Sequence, residues 1–221
     1  MASLTFLESD TPARGGPPEQ PVMLLLHGFG SNERDLPSLA PFLPPMPWVS
    51  LRAPLAMPPV GAAWFALDPP HEPEQAAIDE ATGALWSWID AELDVRTPVV
   101  PVGFSQGGLM ASELLRSRPE RIAATVVLAG FVGPEPHEAD ARLARELPPV
   151  FWGRGEQDAV IWPSAIERTS RVLPQISTLT ARTYAGLGHG VNEPMLDDVR
   201  IFLEGAGLGT GGTRDASGAG R

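Results

Sequence analysis

The sequence predicts an α/β protein with a mostly parallel central sheet and helices on both faces. Short apolar runs alternate along the chain with segments of helical spacing, which is typical of a parallel sheet. The first run, PVMLLLHG from Pro21, is apolar without interruption and ends at a glycine, as expected of a strand buried on both faces. With 221 residues, the chain is long enough for one such domain with a substantial core.

The predicted elements follow one another in order after a short polar lead. The strands are PVMLLLHG, WVSLRAP from Trp48, PVVPVGF, IAATVVLAG, a run within PPVFWGRGEQD, and the alternating TLTARTY. The helices are the segment from Pro73 to Val95, QGGLMASELLRSRPE, WPSAIERTSRVLPQ and EPMLDDVRIFLEG. We expect a single domain over residues 1–204 and a flexible Gly-rich tail over residues 205–221.

Composition and charge exclude several classes of function. The net charge of -11 repels nucleic acid and anionic membrane surfaces, and the cationic residues are all arginine, spread without a basic patch. The absence of cysteine excludes disulfides and a cysteine nucleophile. No apolar run is long enough for a membrane span, and the first residues lack the pattern of a signal peptide. We therefore expect a cytoplasmic protein, monomer or homodimer, with no nucleic-acid partner and no stable membrane insertion.

Ser105 lies in a motif that can carry chemistry. Gly103-Phe104-Ser105-Gln106-Gly107 fits G-x-S-x-G, in which a sharp strand-to-helix turn exposes a nucleophilic serine. The motif also occurs by chance, in which case it is only a Gly-rich structural turn. Its place between a predicted strand and a predicted helix is the context that a nucleophile requires.

A serine nucleophile needs a base, which is usually a histidine oriented by a carboxylate. His189 follows the last predicted strand in the Gly-rich loop AGLGHGVNE, at the sheet edge where such folds bind ligands. His71 and His137 lie in Pro-flanked loops and are expected to be solvated, whereas His27 is expected to be structural, bonded to nearby backbone. Asp158 follows the strand between Ser105 and His189 and is the preferred carboxylate. Its neighbour Glu156 competes for that role, and a turn or helix cap is the alternative for Asp158 itself.

An acyl-transfer site also needs donors for the oxyanion. The residue after the serine supplies one backbone N–H, here that of Gln106. The loop after an early strand supplies the other, and His27-Gly28-Phe29-Gly30 is such a loop, with Phe29 N–H as the expected donor.

With these motifs together, the chain resembles the phospholipase/carboxylesterase family (carboxylesterases and acyl-protein thioesterases) of the α/β-hydrolase superfamily. The matching segments occur in the family's order and are LLLHGFGSNERDL, LRAP, WFALD, VGFSQGGLMA, WGRGEQDAVI and GLGHGV. The resemblance implies an α/β-hydrolase fold without a large lid domain and a Ser105–Asp158–His189 triad. It also implies an oxyanion hole from Phe29 and Gln106 and a mechanism that uses no metal and no cofactor.

The chain departs from the family pattern near the acyl-binding side. The segment APLAMPPVGAA is short and Pro-rich, and the aspartate after Trp-Phe is displaced to Asp68. The family's preference for acyl-chain length therefore cannot be transferred to this chain. The candidate pocket residues flank the inferred chemistry, although each could instead be a core or surface residue: Phe29, Met57, Trp64, Val160 and Ile161. Trp86 and Trp162 are interpreted as packing residues.

These observations favour a serine hydrolase that cleaves carboxylic esters, and possibly acyl thioesters, as small-molecule substrates. One alternative is a catalytically silent binding protein with the same fold. The other is a hydrolase for peptide, lactone or polyester substrates, because a fold does not fix the substrate.

Overall fold

A computed structural model describes residues 4–68 and 71–209 of the chain. The strands are β1 (Phe6–Glu8), β2 (Val22–Leu26), β3 (Trp48–Leu51), β4 (Leu55–Met57), β5 (Gly61–Ala63), β6 (Val99–Phe104), β7 (Thr125–Leu128), β8 (Pro149–Gly155) and β9 (Thr178–Tyr184). The helices are α1 (Gln75–Glu92), α2 (Gln106–Ser117), α3 (Asp140–Glu146), α4 (Pro163–Ile176) and α5 (Glu193–Gly205). Short 3-10 helices span Leu36–Phe42 and Pro119–Arg121.

The central sheet has seven strands in the order β1-β3-β2-β6-β7-β8-β9. Every neighbouring pair is parallel except β1 and β3, which are antiparallel at one edge. Strands β4 and β5 form a separate antiparallel hairpin. The predicted fold class, a mostly parallel sheet within an α/β domain, is confirmed.

The two faces of the sheet carry separate apolar layers. Successive residues of β2 alternate between them: Val22, Leu24 and Leu26 pack in the layer shared with α1 to α4, and Met23 and Leu25 in the layer shared with α5. Because every residue of β2 faces one of these layers, none of its side chains can be polar without cost. The prediction that PVMLLLHG is buried on both faces is confirmed.

Several short strands and one short helix were not predicted from the sequence. Strand β1 lies inside the predicted polar lead and pairs Phe6 with Leu51. Three residues are too few to show an alternating pattern, so β1 and the β4–β5 hairpin left no periodic signal. Helix α3 spans seven residues, of which only Leu143 is buried, so it has no apolar stripe to detect.

The C-terminal boundary differs from the prediction. Gly205 belongs to α5, and the helix ends in a Schellman motif: Gly207 has φ +77°, and Leu208 N donates to Leu203 O at 3.0 Å. Leu208 is buried in the same apolar layer as Leu203. The domain therefore extends past residue 204, and the rest of the predicted tail, residues 210–221, lies outside the described residues.

No helix within residues 4–68 and 71–209 has the length and apolar character needed to cross a membrane.

Candidate active site

Three predicted site residues meet at one edge of the sheet. Ser105, Asp158 and His189 follow β6, β8 and β9, whose carboxyl ends point in the same direction because the strands are parallel. This edge is where open α/β sheets bind ligands.

The backbone at Ser105 is strained, with φ +55° and ψ -116°. Its N–H donates to Leu128 O at 2.8 Å, so the turn from β6 into α2 is held against β7. A Cβ added to Gly103 would lie 2.0 Å from Gly107 O, and one added to Gly107 would lie 1.9 Å from Leu26 O. Only glycine fits at either position. Strain of about 1–3 kcal/mol at such a residue persists only where the surrounding structure imposes it.

A continuous series of hydrogen bonds joins the three side chains. His189 Nδ1 lies 2.8 Å from Asp158 Oδ2, and His189 Nε2 lies 2.9 Å from Ser105 Oγ. An ionised carboxylate only accepts, so Nδ1 carries the proton and Nε2 is free to accept from the serine hydroxyl. A serine, a histidine and a carboxylate in this arrangement can activate the hydroxyl as a nucleophile.

Backbone contacts hold the loops of Asp158 and His189 together beyond the paired strands. Glu156 N donates to Tyr184 O at 3.0 Å, and Gln157 N donates to Leu187 O at 2.9 Å. These bonds join the two loops directly after the ends of β8 and β9. The separation of Asp158 from His189 is thus fixed by backbone pairing as well as by their own hydrogen bond.

Of the two candidate carboxylates, Asp158 is the one that contacts His189. The side chain of Asp158 is 1% exposed and its Oδ1 accepts hydrogen bonds from Val160 N and Ile161 N, at 2.9 and 3.2 Å. Glu156 is exposed and makes no side-chain contact with His189. The same bonds to Asp158 fix Val160 and Ile161 beside the site.

The loop after β2 lies against the serine. A Cβ on Gly28 would be 3.5 Å from Ser105 Cβ. Gly30 N donates to Ala62 O and Ser31 N donates to Gly28 O, but Phe29 N donates to no acceptor among the described residues. Phe29 N–H is therefore available to a ligand. The N–H of Gln106 opens α2, and the first N–H groups of a helix have no acceptor within it.

His27 holds that loop in place and is fully buried. Its Nε2 accepts from Ala53 N at 3.1 Å, so Nδ1 carries the proton and donates to Gly28 O at 2.7 Å. Gly28 O and Phe29 N belong to one peptide plane, which this bond fixes. Burial lowers the pKa of His27 and keeps it neutral. The expectation of a structural histidine bonded to backbone is confirmed.

A cavity of about 330 Å³ opens at Ser105 and His189. Of the predicted pocket residues, Phe29, Val160 and Ile161 line it, and Met57 and Trp64 do not. Met57 is half-buried in the β4–β5 hairpin. Trp64 is 2% exposed, and its indole N–H donates to His27 O at 2.9 Å, so its side chain supports the loop from within the core. Both placements correct the predicted pocket.

Sequence reasoning missed most of the apolar lining of this cavity, which comes from Phe65, Leu67, Phe104, Phe131 and Trp162. Phe65 and Leu67 lie in the WFALD segment, whose neighbour Trp64 was chosen instead. Trp162, interpreted as a packing residue, contributes to the cavity wall, and its ring packs against Phe131 with centroids 5.9 Å apart. Ile161 is a cavity residue and also a buried core residue, because it lines the cavity and is only 6% exposed.

The two remaining histidines lie away from the triad. His71 has an exposed side chain, as predicted. His137 is not solvated: its side chain is 16% exposed, and its Nε2 lies 2.8 Å from Glu113 Oε2. The carboxylate of Glu113 is fully buried and also accepts from Gly133 N, which draws the loop after β7 onto α2. That loop carries Phe131 to the cavity.

Within the described residues, no three His, Asp or Glu side chains come together in a way that could hold a metal ion. The expectation of a metal-free site stays a prediction.

Comparison with known proteins agrees with this architecture. The family model described as phospholipase/carboxylesterase matches residues 13–206. Among solved structures, esterase PE8 is 27% identical, with a TM-score of 0.74 over 93% of this chain and 100% of that one. The Bacillus cereus carboxylesterase is 20% identical, with a TM-score of 0.77 over 93% and 95% of the two chains. Zea mays acyl-protein thioesterase 2 is 19% identical, with a TM-score of 0.69 over 91% and 98%.

The last two similarities, below 25% identity, show the α/β-hydrolase fold. No curated protein matches the chain significantly. The family match spans nearly the whole domain, from before β2 to the end of α5. The chain therefore belongs to the phospholipase/carboxylesterase family of hydrolases.

Proposed function

We propose that the protein is a serine hydrolase that cleaves carboxylic esters, and also acyl thioesters, through an acyl-enzyme on Ser105. The observation that carries the proposal is the hydrogen-bonded series from Asp158 through His189 to Ser105 at the mouth of an apolar cavity. A positioned base and a positioned serine are the two requirements for acyl transfer at neutral pH.

In the first half of the reaction, Ser105 Oγ attacks the acyl carbon while His189 Nε2 accepts the hydroxyl proton. The oxygen of the tetrahedral intermediate is stabilised by the N–H groups of Phe29 and Gln106. His189 then donates the proton to the departing alcohol or thiol, and the acyl group stays on Ser105. Asp158 keeps the proton on Nδ1 and stabilises the imidazolium that forms.

In the second half, water takes the place of the leaving group. His189 Nε2 accepts a proton from the water as its oxygen attacks the acyl-enzyme. The second tetrahedral intermediate uses the same two N–H donors, and its collapse returns the proton from His189 to Ser105 and releases the acid. Apart from the ester and the attacking water, these steps use only Ser105, His189, Asp158 and the two backbone N–H groups.

Hydrolysis of a short p-nitrophenyl ester by wild type and by Ser105→Ala tests this proposal. We expect the substitution to lower kcat by several orders of magnitude. Ser170→Ala, which removes an exposed hydroxyl on α4, is the matched control and should retain wild-type rates. A fluorophosphonate should label Ser105 with one equivalent per chain. Turnover by Ser105→Ala, or labelling at another residue, would refute the acyl-enzyme on Ser105. Absence of ester hydrolysis and of labelling in wild type would instead favour the alternative of a silent binding protein.

A further inference from the structure

The cavity at Ser105 has a lining of two kinds. Most of it is apolar, from Phe65, Leu67, Phe131, Ile161 and Trp162. The segment that follows β2 contributes differently, because beside Phe29 it brings the polar residue Ser31 and the exposed acidic residue Asp35 into the lining. The cavity therefore has a mostly apolar lining that includes one acidic residue, Asp35.

The carboxylate of Asp35 has no cationic partner among the described residues. Its one side-chain contact is with Ser31, whose hydroxyl donates to Oδ2 at 2.7 Å. The nearby guanidinium groups are directed elsewhere: Arg52 is bonded to Glu33 at 2.9 Å, and Arg34 lies 4.0 Å from the same carboxylate. Within residues 4–68 and 71–209, no arginine lines the cavity. The negative charge of Asp35 is thus available to interact with a ligand in the cavity.

A carboxylate and an exposed aromatic ring that line the same cavity have a defined chemical complement. An ammonium group is attracted by the negative charge and also by the face of a phenyl ring. Phe29, 41% exposed, lines the cavity in the same segment as Asp35 and supplies such a ring. Carboxylates, phosphates and other anionic substrate groups would be repelled by Asp35.

The size of the cavity limits the rest of the substrate. Its volume of about 330 Å³ is at the lower end of the range for ligand pockets. A short acyl chain with a small alcohol suits a space of this size, whereas a long fatty acyl chain would have to extend beyond it.

We propose that the carboxylate of Asp35 makes this site selective for short esters that carry an ammonium group. The proposal rests on the proposed ester hydrolysis at Ser105 and adds the class of substrate to it. In the bound ester, the acyl carbon lies at Ser105, the hydrocarbon contacts the phenyl, indole and aliphatic side chains, and the ammonium group faces Asp35.

Two esters of equal shape test this selectivity. Butyrylcholine carries a trimethylammonium group, and 3,3-dimethylbutyl butyrate replaces it with a neutral tert-butyl group. The quantity to measure is the ratio of kcat/KM for the charged ester to kcat/KM for the neutral one. We expect a ratio above one for wild type, decreasing when sodium chloride is raised, because salt screens exposed charges.

Asp35→Asn should lower this ratio by about 1.4- to fivefold, the range that corresponds to an exposed ion pair. Asp35→Glu keeps the negative charge and should keep the preference for the charged ester. This variant distinguishes the effect of the charge from an effect of the substitution on folding. Asp10→Asn is the matched control, since it removes one exposed carboxylate at the opposite edge of the sheet, beside the start of β3, and should leave the ratio unchanged.

The failure of this inference can be distinguished from the failure of the proposed function. If wild type hydrolyses the neutral ester and Ser105→Ala does not, the proposed function stands. A wild-type ratio of one or less, or an equal ratio in Asp35→Asn, then overturns the role of Asp35 alone. If Ser105→Ala hydrolyses both esters as well as wild type does, both proposals are overturned.

Discussion

Gln106 Oε1 accepts a hydrogen bond from the backbone N–H of Trp64 at 2.9 Å. The amide Nε2 of the same side chain donates to Phe65 O at 2.8 Å, and all of these groups are buried. The residue that follows the proposed nucleophile is therefore tied to a segment 42 residues earlier in the chain. One side chain supports both the start of α2 and the segment that brings Phe65 into the cavity.

Gln106→Glu should destabilise the protein, because a carboxylate can accept from Trp64 N but cannot donate to Phe65 O. Two buried oxygens would then face each other without a proton. We expect the free energy of unfolding to fall by about 1–3 kcal/mol, as measured by urea denaturation. Gln175→Glu, an exposed change of the same kind on α4, is the control. Equal stability of the two variants would contradict the importance of this contact.

Gly107→Ala should prevent formation of the turn at Ser105. The added methyl would lie 1.9 Å from Leu26 O, so β2 and α2 would have to separate. We expect loss of esterase activity and of several kcal/mol of stability, measured by thermal unfolding. Gly83→Ala is the matched control, because no atom lies within 4 Å of the added methyl and the position is inside α1. It should stabilise the protein by about 0.5–1 kcal/mol. Similar melting temperatures for the two variants would be inconsistent with the structure.

Asp158→Asn should lower kcat by up to about four orders of magnitude while the protein stays folded. An amide can donate to His189 Nδ1, which then holds its proton on Nε2 and cannot accept from Ser105. The measurement is steady-state hydrolysis of a p-nitrophenyl ester at neutral pH. Glu156→Gln, two residues away and exposed, should retain the wild-type rate. A larger loss in Glu156→Gln than in Asp158→Asn would exchange the roles of the two carboxylates.

The free energy of unfolding should decrease as the pH falls below about 6.5, the ordinary pKa of histidine. Burial lowers the pKa of His27 in the folded protein, so the unfolded chain takes up a proton that the folded one does not. Stability from this residue is full above that pH and is lost progressively down to the lowered pKa. Urea denaturation of wild type and His27→Gln between pH 7 and 5 isolates its contribution. Parallel curves for the two proteins would show that His27 does not titrate in this way.

The place where Ser105, Asp158 and His189 meet could be predicted from two local signals. These are the motif around Ser105 and the positions of Asp158 and His189 after predicted strands, because residues that follow parallel strands meet at one edge of the sheet. The strands that precede Asp158 and His189 are β8 and β9, which are each seven residues long and pair along their whole length. Their length made them visible in the sequence.

The cavity walls could not be predicted in the same way. Phe65 and Trp64 are adjacent in sequence and similar in character, yet Phe65 lines the cavity and Trp64 is buried under the loop that follows β2. The difference arises from the Gln106 amide, which fixes the backbone of both residues from another part of the chain. Likewise, the solvated appearance of His137 in its Pro-flanked loop gave no sign of the buried Glu113 on α2. Such contacts are set by tertiary packing and leave no local pattern.

The pairing of the loops after β8 and β9 has a consequence for thermal inactivation. β9 is the last strand of the sheet and is largely exposed, so it has fewer buried contacts to lose than the central strands. Because His189 follows β9 and Asp158 follows β8, any fraying of this edge separates the base from its carboxylate. On heating, hydrolytic activity should therefore decline at a lower temperature than the far-ultraviolet circular dichroism of the remaining sheet and helices.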